Sequence, residues 1–250
     1  KHIMMDGALN LNWNMFFSEY DDQQVSTFVG LGFVVANAAS TEIKGLEVDI
    51  AFQATENLRL GAAFAYLDGN YDEFTGAGCT AAQASAILAM ARAEPGGGAD
   101  GNPATLDTSS PVISADGCTA KFNATGSQSG LAQDLSDKKL TSAEFTGVLT
   151  ADYVRPIRDG MEWFASVDVQ FTDDYLMTGD LDPIDSQKGF ENIHVRTGIR
   201  TDSWGLMLYG RNVSDKLTAT GAADVPLAAG SHFQYRSIGD VWGARLTFRF

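Results

Sequence analysis

The chain has 250 residues, 44% of them hydrophobic and 10% aromatic, with 17 Lys and Arg against 32 Asp and Glu. This composition supports a folded body rather than a disordered one, and the formal net charge of −15 argues against nucleic acid, whose phosphates an acidic surface repels. Mean hydropathy is only −0.09 and no run of about 18 apolar residues occurs, which excludes a membrane-spanning helix; a barrel strand of about 9–11 alternating residues escapes that test.

Eight segments alternate apolar and polar residues with the period of two that a strand imposes. In the first, Leu9, Leu11, Trp13, Met15 and Phe17 share one face, while Asn10, Asn12, Asn14, Phe16 and Ser18 share a wet one. After a glycine-containing turn near Gly30 and Gly32, Leu46, Val48, Ile50 and Phe52 oppose Gly45, Glu47, Asp49 and Ala51. The third segment sets Leu58, Leu60, Ala62, Phe64 and Tyr66 against Arg59, Gly61, Ala63, Ala65 and Leu67. The fourth sets Phe145, Leu149, Ala151 and Tyr153 against Thr146, Val148, Thr150 and Asp152, and the fifth Trp163, Ala165, Val167, Val169 and Phe171 against Glu162, Ser166, Asp168, Gln170 and Thr172. In the sixth, Ile193, Val195, Thr197 and Ile199 oppose His194, Arg196, Gly198 and Arg200; Trp204 to Val213 is a seventh strand whose facing the pattern leaves open. The terminal strand, residues 241–250, places Trp242, Ala244, Leu246, Phe248 and Phe250 opposite Gly243, Arg245, Thr247 and Arg249.

Connections alternate in length. Ala54 to Asn57, Pro156 to Gly160 and Thr201 to Ser203 are short, and the others are longer. Short periplasmic turns, long extracellular loops and an even strand count describe an all-β, transmembrane antiparallel β-barrel. A soluble sandwich or lipocalin-like barrel uses the same period with its apolar face inward. Inverting these strands, however, buries Glu47, Asp49, Asp168 and Arg245 in an apolar core, at several kcal/mol each if unpaired. Trp13, Phe17, Tyr66, Tyr153, Trp163, Phe171, Trp242 and Phe250 lie towards strand ends, where aromatic girdles meet lipid headgroups. No export signal opens the chain at Lys1, so a preceding N-terminal part is expected.

Several motifs in this order resemble the C-terminal part of the barrel of TonB-dependent outer-membrane receptors, over essentially all of residues 1–250. They are Lys44-Gly45-Leu46-Glu47-Val48-Asp49, Leu67-Asp68-Gly69-Asn70-Tyr71, Asp173-Asp174-Tyr175, Gly210-Arg211-Asn212-Val213-Ser214-Asp215 and Arg245-Leu246-Thr247-Phe248-Arg249-Phe250. Such receptors are barrels of about 22 strands with a plugged lumen, so the resemblance implies the closing eight strands of one, without its plug. It also implies a protein of the Gram-negative outer membrane that imports a scarce nutrient, by default a ferric siderophore, with carbohydrate or vitamin also open. Its implied partners are outer-membrane lipid, the barrel-assembly machinery and TonB, the last through the missing plug; Trp242, Phe248 and Phe250 are the implied assembly signal. The alternative is a self-contained eight-stranded barrel serving adhesion. Small wet-face residues, Gly45, Ala51, Gly61, Ala63, Ala65, Gly198 and Gly243, favour the wide parent over that narrow barrel.

The loop from Phe74 to Lys139 is far longer than ordinary connections. It holds both cysteines, Cys79 and Cys118, for which an oxidising setting favours a disulfide over a two-cysteine metal site. Its Ala-rich run from Thr80 to Ala93 suits a short helix ended by Pro95 and Gly96 to Gly98; a disordered loop is the alternative. Asp173, Asp174, Asp180, Asp182 and Asp185 crowd one external loop with Lys188. Such oxygens can bind Ca²⁺, but without the EF-hand Gly and terminal Glu the loop reads as solvated, and no metal ligand is assigned; Asp180, Asp182 and Asp185 are retained as candidates for a cationic ligand. His232, Phe233, Tyr235 and Arg236, in the last long loop, could stack on and hydrogen-bond a ring-bearing ligand. With no Gly-x-Ser-x-Gly, CxxC, HExxH or phosphate-cradling loop, neither an enzyme nor a cofactor is expected.

Overall fold

The structure, a computed structural model, describes residues 2–29, 32–93, 112–122, 128–158, 160–225, 228 and 231–249. Its elements in chain order are β1 (His2–Met4), β2 (Leu9–Val29), β3 (Gly32–Gln53), β4 (Leu58–Glu73), α1 (Ala81–Ala93), β5 (Val112–Ala115), β6 (Cys118–Phe122), β7 (Gln128–Gln133), β8 (Phe145–Arg158), β9 (Met161–Thr172), β10 (Tyr175–Leu176), β11 (Ser186–Gln187), β12 (Phe190–Thr201), β13 (Trp204–Arg211), β14 (Ala219–Asp224), β15 (His232–Arg236) and β16 (Val241–Phe248). One sheet of nine strands, ordered β1-β2-β3-β4-β8-β9-β12-β13-β16, carries all eight alternating segments; three small sheets decorate its connections. The unanticipated ninth strand, β1, pairs with Leu9 to Leu11. Gly30 and Phe250 lie outside the described residues, as does the Pro95 to Gly98 stop proposed for the helix.

Register decides which faces coincide, because residues directly opposite in an antiparallel pair point the same way. Leu11 lies opposite Ile50, Ile50 opposite Ala62, Ala62 opposite Leu149, Leu149 opposite Val169 and Val169 opposite Ile193. The apolar stripe thus continues unbroken from β2 to β12. The same rule orients β13: Leu208 faces Thr197 and Leu206 faces Ile199, and across the other edge they meet Ala244 and Leu246. Trp204, Leu206 and Leu208 therefore belong to the apolar face, a point the sequence left open.

That face is uncovered by protein: Trp13 is 53% exposed, Met15 70% and Trp242 64%. Phe64, Phe145 and Phe171 pack ring against ring towards one end, and Tyr153 meets Trp163 towards the other, with centroids 5.5 Å apart. From Phe145 to Tyr153, at ~3.3 Å per residue, the strand runs ~26 Å, comparable with the ~25 Å apolar band of a membrane barrel.

The opposite face is polar. Arg196 pairs with Asp168 at 2.8 Å and Arg200 with Glu162 at 2.8 Å. Arg196 Nε also donates to Ser166 Oγ at 3.0 Å, so Ser166, though on the wet side, is buried. The small residues here do not all leave open space. A Cβ on Gly45 would stand 2.2 Å from the Phe16 ring, one on Gly198 2.8 Å from the Phe164 ring, and one on Gly243 2.4 Å from Tyr209 Oη. These glycines seat a ring from the neighbouring strand, which weakens the inference of a wide lumen from small residues alone.

Neither edge of the sheet is closed. Among the described residues β16 pairs only with β13, and β1 covers β2 for three residues. The buried core lies elsewhere: Ala39 on β3 and Tyr71 on β4 pack with Phe74, Ala77 and Leu135 of the following connection, with Leu140 and Leu181 against them, in a cluster at the loop end of the sheet.

Candidate functional site at the loop end of the sheet

An antiparallel meander sends alternate connections to opposite ends, so the long β2–β3 hairpin and the connections 74–144, 173–189 and 212–240 gather at one end. The 74–144 connection folds on itself. Thr80 Oγ1 accepts from Gln83 N–H at 3.2 Å and Thr80 N–H donates to Gln83 Oε1 at 2.8 Å, a reciprocal cap that starts α1. Asp116 and Gly117, both with positive φ, join β5 to β6 through a two-residue turn, for which Asp-Gly is favoured because L side chains resist that backbone region. The turn brings Cys118 beside helix-proximal Cys79, and the two are joined in a disulfide. Gln133 Nε2 then donates to Gly78 O at 2.6 Å and to Asp180 O at 2.7 Å, tying this connection to the 173–189 connection.

A second junction joins the 173–189 and 212–240 connections. β14 and β15 form a hairpin in which Asp224 lies directly opposite His232, so both side chains point to one side. There they meet Asp185, the last residue of a single 3-10 turn, Pro183–Asp185, and Asp182, which caps that turn by accepting from Ile184 N–H. His232 Nδ1 lies 3.2 Å from Asp185 Oδ2 and 3.1 Å from Asp224 Oδ1, and Nε2 lies 3.9 Å from Asp182 Oδ2. Asp185 is fully buried and Asp182 is 5% exposed. Burial, reinforced by the charge of Asp180, raises the Asp224 carboxyl to about 6, with His232 opposing the rise. Burial likewise raises Asp180.

The sequence-predicted residues therefore divide. His232, Asp182 and Asp185 converge, with Asp180 beside them, whereas Asp173 and Asp174 stand apart, Asp174 lying 3.9 Å from Lys188. Phe233 and Tyr235 project from the other face of β15 as an exposed edge-to-face pair with centroids 5.3 Å apart, and Arg236 donates to Gln234 at 3.2 Å. Asp224 was missed, because residues 219–224 alternate too weakly to mark a strand and only the hairpin places it opposite His232. A cleft of about 490 Å³ opens where the polar face meets the connections, lined by Leu67, Gly69, Lys138, Leu140, Asp173 and Lys188 among others.

A broad antiparallel meander with one dry face, one wet face and every elaborate connection at one end is the architecture of a membrane β-barrel wall. The family model described as TonB dependent receptor-like, beta-barrel matches residues 4–224, and the chain belongs to that family. Among solved structures, the ferric yersiniabactin uptake receptor FyuA from Yersinia pestis superposes with a TM-score of 0.64 at 10% identity, covering 98% of this chain and 28% of that one. The siderophore receptor PiuA from Acinetobacter baumannii gives 0.57 at 14% identity, with 98% and 27% covered. The copper transporter OprC gives 0.59 at 14% identity, with 97% and 30% covered. The chain thus spans less than a third of each of these relatives, and the likeness is one of fold. No curated protein matches the sequence.

Proposed function

We propose that residues 1–250 form the closing wall of an outer-membrane receptor that captures a scarce nutrient, of the ferric siderophore class, and imports it with energy delivered by TonB to a plug in the completed barrel. The observation that carries this reading is the unbroken register of the apolar stripe across eight strands, which gives the sheet a face for lipid and a face for a water-filled lumen. The unpaired edges support it further, since a free strand edge in hydrocarbon leaves backbone groups unsatisfied at several kcal/mol each and calls for further strands. This favours the wide barrel over a self-contained eight-stranded adhesin. The likeness to FyuA, a ferric yersiniabactin uptake receptor, and PiuA, a siderophore receptor, supports the ligand class. In this reading the cleft at the loop end and the exposed Phe233 and Tyr235 receive the ligand, Trp242, Phe248 and Phe250 are read by the barrel-assembly machinery, and the protein has no enzymatic role.

The test is uptake of radioiron carried by siderophores from the source strain's own iron-starved medium. Loss of uptake on disrupting the gene, restored by the intact gene, is the expected result. Unchanged iron uptake with loss of maltodextrin or cobalamin uptake would overturn the ligand class.

A further inference from the structure

The cluster at the junction of the 173–189 and 212–240 connections has a donor set that the import reading leaves unused. Asp182, Asp224 and His232 each offer a ligating atom, and these atoms lie within 4.8 Å of one another. They come from two different connections, Asp182 from the turn at Pro183–Asp185 and the other two from the β14–β15 hairpin. Two further observations separate this cluster from an ordinary acidic loop. Asp182 Oδ2 is buried without a hydrogen-bond partner and faces His232 Nε2 at 3.9 Å. Asp185 Oδ1, on a fully buried side chain, also lacks a hydrogen-bond partner. Among the described residues His232 is the single basic group paired with these carboxylates, so even an imidazolium leaves them in negative excess. Buried carboxylates so arranged call for a cation.

We propose that Asp182, Asp224 and His232 bind a divalent transition-metal ion of the zinc class, which clamps the 173–189 connection to the 212–240 connection. The choice of ion follows from the donors. Ca²⁺ and Mg²⁺ take oxygen ligands, whereas imidazole with carboxylates suits zinc and its first-row neighbours, with bonds of about 2.0–2.2 Å. Tetrahedral ligands at such bond lengths stand roughly 3.3–3.6 Å apart, so donor atoms that lie within 4.8 Å of one another draw together by about 1 Å to close onto an ion. Asp185 is a positioning residue. Its Oδ2 lies 3.2 Å from His232 Nδ1, the carboxylate–histidine arrangement that fixes the ring and presents Nε2, which faces Asp182, to a metal; Asp224 Oδ1, 3.1 Å from Nδ1, turns to the Nε2 side to complete the set.

The experiment is a zinc titration of the protein purified from outer membranes in detergent and stripped with chelator, read against a chromophoric zinc competitor. One equivalent should bind, and His232→Ala and Asp182→Asn should each weaken binding at least tenfold, with Asp185→Asn weakening it about 10–100-fold. Replacing Asp173 and Asp174 together by Asn should leave the affinity unchanged. Zinc should also slow proteolytic cleavage of the 212–240 connection in the parent protein and not in the His232→Ala variant. Far-ultraviolet circular dichroism verifies folding, and Asp224→Asn, on the more exposed hairpin, stands in if Asp182→Asn does not fold. Zinc affinity in folded His232→Ala or Asp224→Asn within threefold of the parent would overturn the proposal, as would binding of calcium in place of zinc. Zinc affinity reports on the clamp and iron uptake on the receptor reading, so either can fail without the other.

Discussion

The sheet and the connections at its loop end are built on opposite logics. In the sheet, apolar side chains point away from the protein, and stability comes from backbone pairing, cross-strand rings and an apolar surround. At the loop end the ordinary rule of soluble proteins returns, with Phe74 and Ala77 at 1% and 0% exposure and a disulfide beside them. One chain therefore holds two folding environments, and the same substitution should have opposite meanings in each.

The largest expected effect tests the loop end. Replacing Cys79 and Cys118 by Ser opens a link of sequence separation 39, worth about 4 kcal/mol in the chain-entropy account. The 74–144 connection should become protease-sensitive while the sheet's circular dichroism persists; loss of both together would break the separation drawn here. Next, Val167→Arg on the dry face should cost about 2–4 kcal/mol near the bilayer midplane. Gln170→Arg, exposed on the wet face in a cleft that Glu47 and Asp49 also line, should cost well under about 1 kcal/mol in a water-filled lumen. Urea unfolding in lipid vesicles measures both, and equal costs would invert or abolish the assigned faces.

A third comparison sharpens the role of the seated glycines. A Cβ on Gly198 would approach the backbone oxygen of Leu206 to 2.2 Å, whereas one on Gly76 meets nothing within 4 Å. Gly198→Ala should therefore cost about 1–3 kcal/mol, the usual range for overpacking, and Gly76→Ala close to nothing, both read from unfolding midpoints. The smallest effect belongs to the helix cap: Thr80→Ala should cost about 1 kcal/mol, visible as faster cleavage within Ala81–Ala93 and unchanged unfolding of the sheet.

How much was legible in advance follows the same division. All eight alternating segments are strands of the sheet, because a strand between lipid and water must repeat every two residues whatever its neighbours do. The exception, Trp204 to Val213, is instructive. Its alternation of Gly205, Met207 and Tyr209 with Leu206 and Leu208 puts apolar residues on both sides, and only its pairing with Ile199 and Leu246 fixed the face. The loop-end cluster was half legible. Asp182, Asp185 and His232 stood out by residue type, and nothing local joined them. Asp224 was silent, since an isolated aspartate eight positions before a histidine carries no pattern until a hairpin places the two side by side.

The sequence by itself determined that the chain is a membrane-type β wall, since strand periodicity, girdle aromatics and the alternation of short and long connections are local consequences of a two-solvent environment. Tertiary structure alone decided that Ser166 is buried beneath Arg196, that Gly45, Gly198 and Gly243 seat neighbouring rings, and that three carboxylates from two connections meet at His232. Those facts depend on register and on contacts between residues tens of positions apart, which no local pattern encodes.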